Sequence, residues 1–206
     1  MEVQERLYPN AVIGSQPEVL ESIHHQENSV AIYQRNIEWL HGEVISAIDQ
    51  DFTFKASGSI DEIASELGTF FTEKLTECDA LWEDIMGLVQ WFNNVVQEDT
   101  YKLLLTTVNS NMCKRFHTDI NDLRLLCTYT GPGTLWISED EDSRIADVEM
   151  PIDESQIHQS QMGDVLILKG ALHPEGNPIL HRSPAIEGSG GKRLLLRLDT
   201  NNTLKF

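Results

Sequence analysis

Hydrophobic positions in the first half of the chain recur at intervals of three and four, the period of an α-helix with one buried face. Helix start signals accompany this spacing: Asn36 can cap the first helix, Ser59 with Glu62 forms a capping box, and Asp79 can cap the third. The residues before 29 contain prolines and a glycine and are expected to be irregular. The pattern predicts three amphipathic helices, over about residues 37–48, 60–75 and 79–97.

The hydrophobic period changes from residue 101 onward. Short runs rich in leucine, valine, isoleucine and threonine follow one another, separated by Gly and Pro turns, with no helical segment between them. Such a succession predicts an antiparallel sandwich or jelly roll. The expected strands are residues 102–108, 123–129, 134–138, 165–170, 178–181 and 192–198.

These two patterns predict an α+β chain with a helical region over residues 1–100 and a β region over residues 101–206. We expect the N-terminal helices to pack on one face of the β region as part of one unit. The helical region is also a candidate dimer interface, so a homodimer is expected as one possible assembly.

The composition limits the binding partners and the cellular compartment that we expect for the protein. The 206 residues are 40% hydrophobic, enough for a sizeable core, and 33 acidic against 15 basic residues give a net charge of −18. A surface this negative repels phosphate backbones and anionic membranes, so neither nucleic acid nor membrane is an expected partner. Without a long apolar run, a signal-peptide pattern or paired cysteine spacing, the protein is expected to be cytoplasmic.

Candidate chemistry lies at His117 and Asp119. Two residues apart on an extended segment, they point to the same face, and His181 offers a third ligand. Two histidines with one carboxylate, leaving open positions, suit non-haem Fe(II). The alternatives are ordinary buried histidines, a turn-capping role for Asp119, and a zinc set that includes Cys113, four residues before His117.

Four motifs follow one another along the second half of the chain: His117-Thr118-Asp119, Gly163-Asp164, His181-Arg182-Ser183-Pro184 and Lys192-Arg193-Leu194-Leu195-Leu196-Arg197. The whole chain, and in particular residues 113–136 and 181–184, resembles an uncharacterised bacterial family of unknown function. The order of the four motifs also resembles the 2-oxoglutarate/Fe(II)-dependent dioxygenase superfamily. That resemblance implies that residues 101–206 form a double-stranded β-helix, the jelly roll of cupin-like proteins.

The same resemblance implies a cofactor pair. The two histidines and the aspartate would hold Fe(II), and either Arg193 or Arg197 would clamp a carboxylate of 2-oxoglutarate. These arginines alternate with leucines and share one face of their strand, and a guanidinium offers a carboxylate two parallel hydrogen bonds. Ser183 or Tyr129 is expected to give the co-substrate a further hydrogen bond.

The resemblance therefore implies an Fe(II)- and 2-oxoglutarate-dependent oxygenase acting on a small-molecule or protein substrate. The first alternative is a cupin-like protein that binds Zn or Fe for metal homeostasis and has no oxygenase activity. The second is a structural or interaction module whose histidines bind nothing. No charge pattern in the sequence singles out a substrate class.

Overall fold

The structure, a computed structural model, describes residues 8–138, 154–188 and 191–200, and within them it forms three α-helices and ten strands. The helices are α1 (His41–Ile48), α2 (Ile60–Lys74) and α3 (Asp79–Val96). Three 3-10 helices cover Pro17–His24, Glu38–Leu40 and Glu154–Gln156. The strands are β1 (Ala11–Gly14), β2 (Val30–Tyr33), β3 (Thr53–Gly58), β4 (Tyr101–Val108), β5 (Leu123–Thr130), β6 (Leu135–Ile137), β7 (Ile157–Gln159), β8 (Val165–Lys169), β9 (His181–Arg182) and β10 (Arg193–Thr200).

The strands form two sheets. The large sheet has seven strands in the order β1-β2-β8-β5-β10-β4-β3, and the small sheet has three in the order β7-β6-β9. The β1–β2 pair is parallel and every other pair is antiparallel. From β4 onward the chain passes repeatedly between the two sheets, which brings distant segments of the sequence side by side.

Two hydrophobic cores lie on opposite faces of the large sheet. Along β10, Leu194, Leu196 and Leu198 pack with the helices in the first core. Leu195 points the other way and packs with Trp136 of the small sheet in the second core. Because side chains alternate along a strand, Arg193 and Arg197 share the face of Leu195, between the two sheets.

The first hundred residues contribute strands as well as helices, so the predicted division at residue 100 does not separate the sheet. β1 and β2 extend one edge beside β8, and β3 pairs with β4 at the other edge. The expectation of an irregular lead-in and a purely helical region is therefore wrong. β1 lies between Pro9 and Pro17 and ends at Gly14, and these residues are turn signals. β2 is a short apolar run, which periodicity alone does not distinguish from a helical segment, and β3 lies directly before the capping box of α2.

Helix starts agree more closely with the sequence. Ser59 and Glu62 form the predicted capping box of α2, with reciprocal side-chain and backbone hydrogen bonds. Asn36 accepts a hydrogen bond from the Glu38 backbone at 2.7 Å, but the segment it precedes is first a 3-10 helix and only then α1. Asp79 is the first residue of α3 instead of its cap.

In the β region, β4, β5, β6, β8 and β10 lie where the short apolar runs between Gly and Pro turns predict them. β9 begins at the last residue of the predicted strand over 178–181, and β7 was not predicted. The acidic run over residues 139–142 lies outside the described residues. Among the helices that are described, none is both long and apolar enough to cross a membrane.

A buried ion pair fixes α3 to the large sheet. The Arg35 guanidinium donates to both oxygens of Asp84, at 2.6 and 2.9 Å, and through Nε to the Gly163 carbonyl at 2.9 Å. The Tyr129 hydroxyl donates to Asp84 Oδ2 at 2.6 Å. The side chains of Arg35 and Asp84 are only 12% and 7% exposed. The Asp84 carboxylate of α3 therefore binds β5 through Tyr129 and the segment after β2 through Arg35, and Arg35 in turn binds the turn before β8.

Replacing Asp84 with alanine should lower the free energy of unfolding by about 3–5 kcal/mol, because it leaves Arg35 as a buried charge without its partner. Urea unfolding followed by circular dichroism measures the change. Glu83→Ala is the matched control, since Glu83 is exposed on the same helix turn and should change stability by no more than about 0.5 kcal/mol. Equal losses in both variants would contradict the role given to the ion pair.

Candidate metal centre

The backbone brings two histidines together at the edge of the small sheet. His117 lies in the segment between β4 and β5, and His181 begins β9. The His117 N–H donates to the His181 carbonyl at 3.1 Å, and the His181 N–H donates back to the His117 carbonyl at 3.0 Å. This reciprocal pair sets the two imidazoles side by side, with ring centroids 4.7 Å apart.

Asp119 completes a group of three ligands. Its Oδ1 is 3.6 Å from His117 Nε2 and its Oδ2 is 3.2 Å from His181 Nε2. One donor atom from each of the three residues lies within 4.8 Å of the other two. The side chains of His181 and Asp119 are 6% and 10% exposed, whereas that of His117 is 36% exposed, so the group opens to solvent on the His117 side.

Both imidazoles are held by the nitrogen that faces away from Asp119. His117 Nδ1 lies 3.1 Å from the Arg115 carbonyl, and His181 Nδ1 lies 3.3 Å from the Ile179 carbonyl. A carbonyl accepts only, so the proton of each neutral ring sits on Nδ1. Nε2 is then unprotonated and faces the carboxylate, which is the tautomer that metal ligation by Nε2 requires.

Charged neighbours surround the carboxylate. Arg124 forms an ion pair with Asp119 Oδ2 and a second one with Asp199 Oδ1. Asp199 also accepts a hydrogen bond from Asn121 Nδ2 at 3.0 Å, and its Oδ2 pairs with Arg197 Nε at 3.0 Å. Asp119 Oδ2 is buried, and no described residue gives it a hydrogen bond of normal geometry despite the closeness of Arg124 and His181. The carboxylate is therefore buried beside a guanidinium and two imidazoles.

These neighbours keep Asp119 ionised. Burial by itself raises the pKa of the carboxyl, but the close approach of His181, followed by those of Arg124 and His117, outweighs burial. The pKa of Asp119 is therefore held below its ordinary value. A carboxylate that stays ionised near neutral pH is what a metal ligand has to be.

Arg193 is a buried cation with almost no partner. The residue is 1% exposed, and its Nη2 donates to Thr128 Oγ1 at 3.0 Å. Its Nε has no hydrogen bond, and no carboxylate in the described part of the chain lies within ion-pair distance. Burial alone lowers the pKa of Arg193 to about 10. Gly131 covers the side chain: a Cβ there would lie 2.7 Å from Arg193 Cγ, and its φ of +83° favours glycine.

The other predicted residues are placed differently. Arg197 shares the face of Arg193 but pairs with Asp199. Tyr129 lies on the opposite face of β5, among the residues that pack with the helices, where its hydroxyl donates to Asp84. The expectation that Tyr129 reaches the co-substrate is therefore corrected. Ser183 is half-buried, two residues after His181, and Cys113 is exposed and outside the group of three ligands.

Sequence reasoning did not single out Arg124 and Asp199. The available signal was the alternation of side chains along β5. Arg124 and Thr128 are four residues apart, so both point to the inward face of the strand. What brings Arg124 opposite Asp199 is the register of β5 against β10, which pairs these two residues directly. Local pattern does not specify that register.

Comparison with known proteins places the chain in a family and gives its fold. A sequence model described as "Protein of unknown function (DUF1826)" matches residues 14–199. No curated protein matches the chain in sequence. The structure of a dioxygenase for auxin oxidation from rice is 10% identical, with a TM-score of 0.54, covering 92% of this chain and 82% of that one.

Two further solved structures are similar at a lower level. A full-length Neurospora crassa protein in complex with alpha-KG is 14% identical, with a TM-score of 0.45, covering 90% of this chain and 78% of that one. An oxidoreductase of the 2OG-Fe(II) oxygenase family from Burkholderia pseudomallei is 5% identical, with a TM-score of 0.45, covering 90% of each chain. Since the rice comparison covers 92% of the chain, the likeness in fold is not confined to residues 101–206, as the sequence had suggested.

Mn(II) should stabilise the protein through this group of ligands. At a free concentration 100 times its Kd, a cation that binds only the folded state adds about 2.7 kcal/mol to the free energy of unfolding. Thermal unfolding with and without Mn(II) measures the gain, which His181→Ala should lose. His173→Ala is the control, because His173 is another partly buried imidazole beside a carboxylate, Asp122. A gain that persists in His181→Ala would place the bound cation elsewhere.

Proposed function

We propose that this chain, which belongs to the family described as "Protein of unknown function (DUF1826)", is an Fe(II)- and 2-oxoglutarate-dependent oxygenase. One observation carries the proposal: the space between the two sheets combines a two-histidine, one-carboxylate group with the buried guanidinium of Arg193, which pairs with no carboxylate among the described residues. The passage of β4 to β10 between two facing sheets supports a double-stranded β-helix around that space.

The three ligands fit Fe(II). His117, Asp119 and His181 offer two imidazole nitrogens and a carboxylate, a donor set that leaves coordination positions for other molecules. When bound together, Fe(II) and 2-oxoglutarate supply dioxygen-dependent oxidation of a C–H bond, coupled to decarboxylation of the oxo-acid. The protein's own part is to hold the ligands, orient the bound molecules and exclude water.

Arg193 fits the co-substrate. A buried cation without a partner is unfavourable for the folded protein, and a carboxylate that pairs with it removes the penalty. A guanidinium receives a carboxylate through two parallel hydrogen bonds, and no residue in the described ranges accepts a hydrogen bond from the Nε of Arg193. Arg197 is the weaker candidate because Asp199 already neutralises it. 2-Oxoglutarate has a carboxylate at each end, so one end can pair with Arg193 while the other faces the metal ligands.

Side chains between the sheets favour a dry interior. Besides the charged residues and Thr128, this space contains apolar residues of the second core, among them Leu126, Leu195 and Trp136. Apolar walls strengthen charge interactions and limit the water that reaches the bound molecules. The substrate that we propose is a small molecule or a protein, because the net charge of −18 disfavours binding of nucleic acid.

The alternatives leave part of the site without a role. A cupin-like protein that holds Zn or Fe for metal homeostasis would use the three ligands but gives Arg193 nothing to bind. A structural or interaction module would use neither. Cys113, the additional zinc ligand considered from the sequence, is exposed and outside the ligand group.

Anaerobic titration with Fe(II) and then 2-oxoglutarate tests the cofactor pair. We expect a visible charge-transfer band that needs both additions, because such a band arises only when the oxo-acid is bound to the iron. The band should be absent from His181→Ala and unchanged in His173→Ala. Iron binding without a band would favour the metal-binding alternative, and no binding at all would favour the structural module.

Arg193→Met separates the clamp from the metal site. Loss of one partner of a buried charge pair costs about 2–5 kcal/mol, so the Kd for 2-oxoglutarate should rise about 30-fold or more. Calorimetric titration with Mn(II) in place of iron measures this, and the Kd for Mn(II) itself should not change. Lys192→Met, which removes the neighbouring cation that pairs with Asp51, is the control.

The same variant also distinguishes a binding role from a structural one. Without 2-oxoglutarate, Arg193→Met should be at least as stable as the parent, because an unpaired buried charge is replaced by an apolar side chain of similar size. Reduced stability together with unchanged 2-oxoglutarate affinity would show that Arg193 serves the fold alone.

A further inference from the structure

An arginine from β5 contacts the carboxylate of Asp119. Arg124 Nη1 contacts Asp119 Oδ2, and the Nε of the same guanidinium contacts Asp199 Oδ1. All three side chains are largely buried. A single planar guanidinium thus bridges a proposed metal ligand and a carboxylate on β10.

Strand geometry fixes this bridge. Arg124 is the second residue of β5, and its direct partner across the ladder is Asp199 on β10. Neighbouring strands are about 4.8 Å apart, so the two side chains meet without any loop having to move. Asn121 and Arg197 hold the Asp199 carboxylate in turn.

The backbone around Asp119 is fixed as well. The Asp119 carbonyl accepts from Ala171 N–H at 2.7 Å, and the Asp122 carbonyl accepts from Gly170 N–H at 2.8 Å. A Cβ at Gly170 would collide with the Asn121 carbonyl oxygen, so only glycine allows this close approach. The residues after β8 hold the main chain, so Asp119 can change its orientation only by rotation of its side chain. Arg124 contacts that side chain.

We propose that Arg124 is a positioning residue: it holds the Asp119 carboxylate in the orientation in which Asp119, His117 and His181 bind a divalent cation, and Asp199 holds Arg124. This inference rests on the metal-binding role given to those three residues above. Groups that orient a metal ligand through a hydrogen bond or ion pair affect metal affinity about 10–100-fold when they are removed.

Two effects of removing Arg124 oppose each other. The carboxylate loses its orientation, which weakens cation binding, while a positive charge near the cation disappears, which strengthens it. Arg124→Lys separates these effects, because lysine keeps the charge but lacks the planar fork that reaches both carboxylates. If the orientation of the carboxylate determines cation affinity, Arg124→Lys should bind the cation more weakly than the parent.

Titration with Co(II) alone tests the proposal on the full chain. We expect the Kd for Co(II) to rise about 10-fold or more in both Arg124→Met and Arg124→Lys, and the visible ligand-field spectrum of bound Co(II) to differ from that of the parent. Lys192→Met, which removes a partly exposed cation from the residue preceding β10, should change neither. Unchanged affinity and spectrum in the arginine variants would overturn the proposal.

A purely structural role gives a different result. If Arg124 only joins the ends of β5 and β10, its variants lose thermal stability but bind Co(II) with the parent's affinity and spectrum, which overturns the positioning role. If Arg124→Met does not fold, Asp199→Asn decides: it keeps the shape of the side chain, removes the charge that holds Arg124, and should alter the Co(II) spectrum. An unaltered spectrum in Asp199→Asn would also overturn the proposal.

The titration also separates this inference from the proposed function. Co(II) binding that depends on Arg124, in a protein that shows no iron–oxoglutarate band, supports the positioning role and contradicts the oxygenase. A normal iron–oxoglutarate band, together with Co(II) binding that does not depend on Arg124, supports the oxygenase and contradicts the positioning role. A parent protein that binds no divalent cation contradicts both.

Discussion

Reciprocal backbone hydrogen bonds between His117 and His181 hold the candidate site together. They join a segment that follows β4 to the start of β9, two parts of the chain that are far apart in sequence. Once the backbones are paired, both imidazoles face the same side, and the carbonyls of Arg115 and Ile179 fix their Nδ1 atoms. Asp119, two residues after His117, then needs only its side-chain rotation to be set.

The large sheet supplies the remaining groups by separating two environments. One face packs against the helices and carries leucines, Tyr129 and the Arg35–Asp84 pair. The other face carries Arg193 and Arg197 together with Leu195, opposite the small sheet. No carboxylate in the described part of the chain pairs with Arg193, and a buried charge without a partner lowers the stability of a fold. An anionic ligand would remove that cost, which is the basis of the binding role proposed for Arg193.

Sequence pattern predicted what depends on short spacings and missed what depends on tertiary pairing. The capping box of α2, the long amphipathic α3 and the shared face of His117 and Asp119 all depend on residues a few positions apart. The N-terminal strands were missed because β1 lies among Pro and Gly residues typical of turns, and β2 is a short apolar run that periodicity does not distinguish from a helix. Tyr129 was assigned to the site although strand parity puts it on the helix side, since nothing local says which face of β5 is inward. Arg124 and Asp199 become partners only through the β5–β10 register.

The proposed function requires that one space hold iron between His117, Asp119 and His181 and an oxo-acid against Arg193. Diffraction from crystals grown anaerobically with Fe(II) and 2-oxoglutarate, measured on both sides of the iron absorption edge, examines both requirements at once. We expect an anomalous peak bound to these three side chains and, on Arg193, the density of a carboxylate. An iron peak elsewhere, or a peak at the three ligands with Arg193 facing no carboxylate, would be incompatible with the proposed function.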